Sequence, residues 1–540
     1  MKYSALLSGI LAILMMAAIG CNDDGSDPVP TDGDVDEIVA KTTEEVTLVP
    51  VKPAMHPPEE TCEGRDAPAW CENPALYANG GESIKAAKDN GFGEVQEGPG
   101  LDAVDYEDLG TARPNAGEGQ KVLSFAHTSD VHICDMESVT RTAMMDVPSL
   151  DSALRPQDPY SCQVFDAAIR TLNAYNKQHG LDFLMISGDT TDSAQINEVD
   201  WLTTILHGGE VHCDSGVDND HIPGPGNDPQ DPFEAAGLDI PWYFAFGNHD
   251  ELVMGNAEIT ADAKIEVIGD YAVLGTRDGE TWEVTTEGVA DPAREYLFHE
   301  EFIAEILNAP GEPDGHGFTQ ENLDQNKGYY AFDAPNGAPV RFIVVDTTFR
   351  SYGFEGQFSY VNGVLSKDQI DDFIIPELDA AMENHMFVIL SGHHPIDSMQ
   401  DDGKPDKYYG GQEFAALLHE YPNVIAYLGG HHHENHVYTV AHESPDKSTP
   451  ENGYWEIQVS SLADYPMQTR LYELREWGEG VYSMKTVVMD FVAQPGDLAW
   501  EARTVSLIDV QTGWCPDENP GPEDERNVEM FFQAPAQWDN

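Results

Sequence analysis

Six short apolar runs recur along the middle of the chain, and each is bounded by polar residues or by glycine. Runs of four or five apolar residues with such boundaries are typical of strands buried on both faces. The sequence therefore predicts a central sheet built from residues 122–126, 183–186, 242–246, 342–345, 387–390 and 424–428.

Helical patterns lie between these runs. Apolar residues recur at helical spacing over residues 165–175, and Gly180 follows them as a stop signal. Residues 366–369 resemble a capping box before a second helix, in which Pro376 is expected to cause a kink. The alternation of strands and helices predicts the α/β class.

Two further patterns predict antiparallel strands beside the central sheet. Asn336 and Gly337 separate two strand-like runs, which is a hairpin signal. Around Trp455, apolar and polar residues alternate over residues 455–459. Mixed rather than purely parallel sheets are expected.

Composition divides the remaining chain into extensions and insertions. Residues 46–120 are predicted as an N-terminal extension and residues 121–495 as the main domain. Within that domain, residues 205–238 and 251–326 are weakly patterned or rich in Gly, Pro and Asp, which predicts insertions. Residues 496–540 are predicted to be an irregular, acidic surface extension.

Charge excludes one class of partner. The 540 residues include 97 Asp plus Glu and 27 Lys plus Arg, a net charge of −70. A surface so acidic repels polyanions, so nucleic-acid binding through basic patches is excluded. The 41% hydrophobic content supplies enough apolar surface to exclude disorder of the whole chain.

The first residues predict export. Lys2 is the only charged residue before Cys21, and residues 3–20 are uncharged, as in a signal peptide or an uncleaved membrane anchor. Residues 18–21 resemble the lipobox of bacterial lipoproteins, which implies removal of residues 1–20 and lipidation of Cys21. The expected location is the cell envelope, periplasmic or at the outer surface, with membrane contact through the lipid.

The segment after Cys21 and the cysteine content agree with export. Residues 21–45 are rich in Asp, Gly and Pro and predict a flexible tether, since the EF-hand spacing of a calcium loop is absent. An even number of later cysteines predicts disulfides, and proximity suggests only Cys62 with Cys71. For Cys134, bridging and metal binding are both open, and a disulfide is the favoured interpretation.

Polar clusters follow five of the apolar runs directly. Loops at the carboxyl ends of strands converge on one crevice in α/β sheets, so these clusters are expected to meet. They are Asp130-Val131-His132, Gly188-Asp189-Thr190-Thr191-Asp192, Gly247-Asn248-His249-Asp250, Gly392-His393-His394 and Gly430-His431-His432-His433.

This ordered set resembles the D-x-H, G-D-x-x-D, G-N-H-D, H and G-H-x-H blocks of calcineurin-like metallophosphoesterases, over about residues 121–436. The resemblance implies a four-layer α/β fold, in which two mixed sheets pack face to face between helices. It also implies a site for two metal ions at the strand ends.

The resemblance assigns the ligands position by position. Imidazole and carboxylate together suit Mn, Fe or Zn, as divalent or mixed-valence ions. His393 is chosen over its neighbour His394, and His394 and His432 are placed behind the ligands or toward the substrate. The assigned ligands are Asp130, His132 and His433 for one ion, Asn248, His393 and His431 for the other, and Asp189 as the bridge.

The same resemblance gives His249 a catalytic role as a proton donor, with Asp250 orienting its ring. It implies hydrolysis of a small phosphomonoester or phosphodiester by direct attack of a hydroxide that bridges the ions. Asp192 stands where purple acid phosphatases have a tyrosine, which argues against a tyrosinate-iron centre. A non-catalytic metal-binding surface lipoprotein is the alternative, and the natural substrate and oligomeric state are left open.

Overall fold

The six apolar runs become strands of two large mixed sheets in the computed structural model. From Val39 onward the chain forms one compact unit. The expected signal peptide and the cysteines at positions 21, 62, 71 and 515 lie outside the described residues. Those residues are 38–53, 82–115, 117–139, 141, 155–216, 222–270, 272–274, 283–285, 289–348, 361–400, 407–440, 453–512 and 520–539.

The first sheet has seven strands. In spatial order, neighbouring strands are antiparallel from the second to the fifth, and the fifth, sixth and seventh strands are parallel to one another. In spatial order the strands are Val104–Tyr106, Val528–Gln533, Val481–Asp490, Gln468–Gly478, Gln120–Thr128, Phe183–Ser187 and Trp242–Ala245.

The second sheet has six strands, of which the four central ones are parallel. Each edge strand is antiparallel to its neighbour, and the first pair is the hairpin predicted at Asn336-Gly337. In spatial order the strands are Tyr330–Asp333, Val340–Val344, Phe387–Ser391, Val424–Gly429, Tyr454–Gln458 and His436–Val440.

The inner faces of the two sheets pack against each other through aromatic rings. Phe342 of the second sheet makes edge-to-face contacts with Phe125 and Phe183 of the first, at ring-centroid distances of 5.4 and 5.1 Å. Because side chains alternate along a strand, the neighbour Ile343 lies on the opposite face, in the core beneath the helices. The two sheets therefore form a sandwich.

Helices flank this sandwich. Ser161–His179 connects two parallel strands of the first sheet, ends at Gly180 as predicted, and contacts Ile196–His207 and Leu498–Thr512. On the second sheet, Lys367–Gln369, the π-helical turn Ile370–Ile374, Ile375–Glu383 and Gly411–Leu418 cover the outer face. The predicted four-layer α/β fold is confirmed. No helix among the described residues is both long and apolar enough to cross a membrane.

The remaining elements are short. They include the helices Glu82–Asp89, Ala261–Glu266, His299–Asn308, Gln320–Gln325 and Glu523–Arg526. The small strand pairs are Val46–Pro50 with Val95–Pro99, Gly209–Val211 with Phe233–Ala235, Leu252–Val253 with Ala257–Glu258, Ala272–Leu274 with Glu283–Thr285, and Leu365–Ser366 with Tyr408–Tyr409.

The structure of the C-terminal extension and the end of the predicted tether differ from expectation. The C-terminal segment is not irregular: it supplies helix Leu498–Thr512 and strand Val528–Gln533, whose apolar residues complete the first sheet. The tether ends before residue 45, because Thr43 is buried and its hydroxyl donates hydrogen bonds to the Val488 carbonyl and Asn527 Oδ1. The folded part therefore begins earlier in the chain than predicted.

Two local predictions are refined. The Ser366 hydroxyl caps its helix by accepting from the Gln369 backbone N–H, but the Gln369 side chain bonds the backbone of Asp346 instead of closing a capping box. The alternating strand Tyr454–Gln458 pairs antiparallel with its edge neighbour as expected, yet its polar residue Glu456 is fully buried.

Candidate metal centre

The five polar clusters meet at the carboxyl ends of neighbouring strands. The loops after Gln120–Thr128 and Phe183–Ser187 are joined directly: the Asp130 N–H donates to the Gly188 carbonyl and the His132 N–H to the Asp189 carbonyl, both at 3.0 Å. Across the sandwich, the His431 N–H donates to Asp130 Oδ2 at 3.0 Å. The two sheets therefore contribute to one site.

The backbone of this site is unusual. Five predicted ligands adopt positive φ angles, a region that non-glycine residues seldom occupy and that costs energy. Close approach also requires glycine, since a Cβ on Gly430 would lie 2.4 Å from Asp130 Oδ2. Such local strain is concentrated at functional sites. The five ligands are Asp130, His132, Asp189, His431 and His433, with φ of 53°, 46°, 49°, 69° and 59°.

Asp130, His132 and His433 form the first group of donors. Asp130 Oδ1 lies 3.1 Å from His433 Nε2 and 3.9 Å from His132 Nε2. Donors bound to one ion at about 2.0–2.2 Å lie roughly 3–3.5 Å apart, so modest adjustment would allow all three to share an ion. This grouping agrees with the predicted ligand set.

Asp189 lies between this group and the next. Its Oδ2 is 3.9 Å from His132 Nε2 and 3.0 Å from His393 Nε2. His393 Nε2 is also 3.8 Å from Asp130 Oδ1. One carboxylate oxygen thus faces a histidine of each group, which is the position that a bridging ligand requires.

The hydrogen bonds distinguish His393 from His394. His393 Nδ1 bonds the Ser187 carbonyl at 2.9 Å, which leaves Nε2 directed at Asp189. In His394 both ring nitrogens are engaged, Nδ1 with the Thr347 hydroxyl at 2.7 Å and Nε2 with the Val361 carbonyl at 3.0 Å. His394 is near His431, but its donor atoms are already used. The geometry favours His393 as the ligand.

Asn248 and His431 are the remaining ligands predicted for the second group, and the donor atoms of His431 lie near those of His393. Asn248 is buried, and its amide Nδ2 donates to the Gly255 carbonyl at 3.1 Å, whereas its Oδ1 has no hydrogen-bond partner. Burial, together with nearby His393, lowers the pKa of His431, so that its imidazole stays neutral. A buried amide oxygen without a partner and a neutral imidazole are both suited to a cation.

Charge in the centre attracts a cation. Burial alone would lower the pKa of His433, but Asp130 raises it to about 10; Asp189 and Asp130 likewise raise the pKa of His393 to about 9. Burial disfavours the Asp130 carboxylate, yet His433 and His393 hold its pKa well below the usual range. The pocket thus stabilises positive charge among its carboxylates, and its residues fit metal ions.

His249 lies beside the first group, with its ring 4.4 Å from that of His132. Its backbone N–H donates to Asp189 Oδ1 at 2.7 Å. The ring Nδ1–H donates a hydrogen bond to the Asp192 carbonyl at 2.7 Å, so Nε2 is the ring nitrogen that this bond leaves available. The side chain is 13% exposed, so a substrate could reach it.

Asp250 does not hold the ring of His249, contrary to the sequence-based expectation. Its Oδ1 accepts from the backbone N–H groups of Thr190 and Thr191 at 2.9 and 3.0 Å, and its Oδ2 accepts from the Gly247 N–H. Burial raises the pKa of Asp250 to about 6. Asp250 therefore fixes two ligand loops against each other, and the Asp192 carbonyl orients His249.

Sequence reasoning missed the residues behind the histidines. His132 Nδ1 donates to Asp192 Oδ1 at 3.2 Å, and His433 Nδ1 contacts Asp464 Oδ2. Asp464 lies in the loop after strand Tyr454–Gln458, where Leu462 and Ala463 donate backbone hydrogen bonds to the Asp130 carbonyl. The available signal was a polar residue in the loop after strand Tyr454–Gln458, which is not one of the six apolar runs.

Among the described residues, two cysteines form a disulfide and one is a free thiol. Cys162 and Cys213 form a disulfide that joins helix Ser161–His179 to the first predicted insertion. Cys134 is free and buried, which contradicts the preference for bridging. Its sulfur contacts the Arg141 guanidinium, and burial raises the pKa of its thiol well above the usual range. A protonated thiol beside an arginine is a poor metal ligand.

Comparison with known proteins supports the family that the residues suggest. A family model for calcineurin-like phosphoesterases matches residues 123–435, more than half of the chain. No curated protein matches. One similar solved structure is GAP50, the anchor in the inner membrane complex of Plasmodium, with 13% identity over 71% of this chain and 94% of that chain and a TM-score of 0.27. From the family match, the chain belongs to the calcineurin-like phosphoesterase family.

Proposed function

We propose that this protein is a phosphohydrolase that holds two divalent transition-metal ions and cleaves phosphomonoesters or phosphodiesters. The observation that carries the proposal is the convergence of six predicted ligands from four strand ends, with Asp189 between the two groups. Membership of the phosphoesterase family supports the same reaction class.

Charge favours a phosphate ester at this place in an acidic protein. Two divalent ions carry four positive charges, and the direct ligands Asp130 and Asp189 supply two negative ones, because Asn248 is neutral. Bound there, the ions would activate water for attack on phosphorus and neutralise the charge of the phosphoryl oxygens. The surplus of positive charge attracts an anionic substrate.

His249 supplies the proton for the leaving group in this proposal. The Asp192 carbonyl holds Nδ1–H, so a protonated ring presents Nε2–H to the oxygen that departs from phosphorus. After donation, the ring remains neutral in the tautomer that the carbonyl fixes. Asp250 keeps His249 in place indirectly, since it bonds the Gly247 N–H at the start of the same loop.

A substrate panel tests the proposal. The purified chain with added Mn²⁺ or Zn²⁺ is assayed on nitrophenyl phosphate, bis-nitrophenyl phosphate, cyclic nucleotides and nucleotides. Hydrolysis of one class, lost in His431→Ala together with bound metal, is the expected result. About two ions per chain without turnover on any compound would instead favour the non-catalytic metal-binding lipoprotein.

We also propose that the protein is an exported lipoprotein held at a membrane by Cys21. The Cys162–Cys213 disulfide supports an oxidising compartment. Removal of residues 1–20 deletes Lys2, so the mature charge is 26 − 97 = −71, and anionic head groups would repel the body. Replacing Cys21 with Ser should release the protein from membranes; a variant that stays bound after cleavage of its signal would contradict lipid anchoring.

A further inference from the structure

The first group of donors is supported differently from the second. Both of its imidazoles are backed by carboxylates: Asp192 accepts from His132 Nδ1, and Asp464 contacts His433 Nδ1. A carboxylate behind a metal-binding histidine fixes the ring and its tautomer, and it makes the other nitrogen a stronger donor.

The two backing carboxylates belong to one row of buried charges. Arg141 pairs with Asp192 at 3.0 Å and with Asp158 at 2.5 Å. Arg155 donates its backbone N–H to Asp158 Oδ2 at 2.9 Å, and its Nε lies 2.9 Å from Asp464 Oδ1. All five residues are at most 7% exposed. We call Asp192, Arg141, Asp158, Arg155 and Asp464 the buried charge row.

Formal charge also distinguishes the two groups. The buried charge row has three carboxylates and two guanidinium groups, so with Asp130 the first group carries −2, which one divalent ion neutralises. In the second group, His393 bonds the neutral Ser187 carbonyl and Asn248 bonds the neutral Gly255 carbonyl. Apart from the shared Asp189, no carboxylate among the predicted ligands is specific to that group.

We propose that the buried charge row makes the position at Asp130, His132 and His433 the tighter of the two metal positions, with Asp464 as a positioning residue for His433. This inference rests on the two-metal function proposed above. The second position, held by neutral side chains and the shared Asp189, then fills and empties at metal concentrations that leave the first position occupied.

Metal titration of the full-length chain tests the proposal without any substrate. The metal-stripped protein is titrated calorimetrically with Mn²⁺, and metal content is measured after dialysis against a weak chelator. Two binding steps that differ by at least about tenfold are expected, with one ion retained per chain. In Asp464→Asn, the tighter step should weaken about 10–100-fold, whereas the weaker step is unchanged.

A matched control and a milder variant separate positioning from folding. Asp166 is a buried carboxylate paired with Arg170, away from the histidines, so Asp166→Asn should keep both steps. Gln157 Nε2 donates to Asp464 Oδ1 at 2.8 Å, and Gln157→Met should weaken the tighter step several-fold without an unpaired charge. Misfolding would weaken both steps, and circular dichroism of each apo variant would detect it.

Two outcomes overturn the inference: equal affinities in the natural sequence, or wild-type retention of the tighter ion in both Asp464→Asn and Gln157→Met. Equal affinities with hydrolysis of phosphate esters would leave the proposed function in place. Two unequal steps without hydrolysis would instead reject the function and keep the inference. A chain that binds no ion would reject both.

Discussion

The carboxyl-end loops of the two sheets and the apolar layer outside the second sheet are both buried, but different forces hold them. In the outer layer, residues such as Leu378 and Phe414 are fully buried against other apolar side chains. In the loops, Asp130 and His393 are equally buried, yet they face charges and imidazoles. Burial of charge costs stability unless each group is paired or binds a cation.

The apolar layer therefore controls mainly stability, and the loops control mainly chemistry. The apolar layer gains free energy from area removed from water, and its substitution should affect stability. The loops combine positive φ angles with clustered like-charged groups, so their substitution should affect chemistry far more than folding. Substitutions in each region can therefore test this separation.

Asp189→Asn should lower turnover of nitrophenyl phosphate by about 10³-fold or more, because it removes the charge shared by the two groups. The metal-free protein should remain folded, because Asn has nearly the same shape as Asp and its Oδ1 can accept the same hydrogen bond from the His249 backbone N–H. Steady-state kinetics and urea unfolding provide the two measurements. Asp166→Asn is the control, and unchanged hydrolysis in Asp189→Asn would reject the site.

His249→Ala should lower hydrolysis of an alkyl phosphate by about 10²–10⁴-fold, because the leaving oxygen loses its proton donor. Nitrophenyl phosphate should lose less, since nitrophenolate departs without a proton. Metal content should stay at the wild-type level. His207, exposed at the end of helix Ile196–His207, supplies the control His207→Ala. Equal losses on both substrates would remove His249 from the role of proton donor.

Leu378→Ala should lower the free energy of unfolding by about 2–5 kcal/mol, through lost apolar burial and the cavity left behind. Turnover per folded molecule should be unchanged. Leu417, which packs at the margin of the same layer, gives the control, and Leu417→Ala should cost less. The separation between regions fails if Leu378→Ala lowers turnover at a temperature where the protein remains folded.

Glu456→Gln tests the one acidic side chain of strand Tyr454–Gln458. Burial raises the pKa of Glu456 to about 7. In the unfolded chain this group ionises near pH 4.5, so its burial destabilises the fold increasingly as pH rises from about 4.5 to 7. The Gln variant should therefore be more stable at pH 8, by on the order of 1–3 kcal/mol, and similar to wild type at pH 4. Chemical unfolding at both pH values measures this, and an equal difference at both would contradict the stated cause.

Much of the architecture was accessible from sequence because it depends on local pattern. Each apolar run became a strand, and the polar clusters that follow five of these strands lie near one another, since strand ends determine where those loops lie. The family resemblance then assigned Asp130 and His393, whose positions agree with the assigned groups.

The parts that were missed depend on contacts between distant residues. Asp464 lies 31 positions after His433, and Asp192 supports His249 through a backbone carbonyl that no residue type reveals. Cys162 pairs with Cys213 across 51 positions, a pairing that proximity did not suggest. The C-terminal strand was missed because its acidic surroundings concealed the apolar residues at 530–532.

Hydrolysis is expected to depend on metal held by these loops. The most direct measurement follows nitrophenyl phosphate and bis-nitrophenyl phosphate hydrolysis by one preparation before metal removal, after it, and after addition of Mn²⁺ or Zn²⁺, with metal content determined at each stage. Activity should disappear with the metal and return as about two ions per chain bind, whereas Asp189→Asn treated in the same way should not recover. Hydrolysis that persists in the fully stripped protein, or that returns equally in Asp189→Asn, would contradict this expectation.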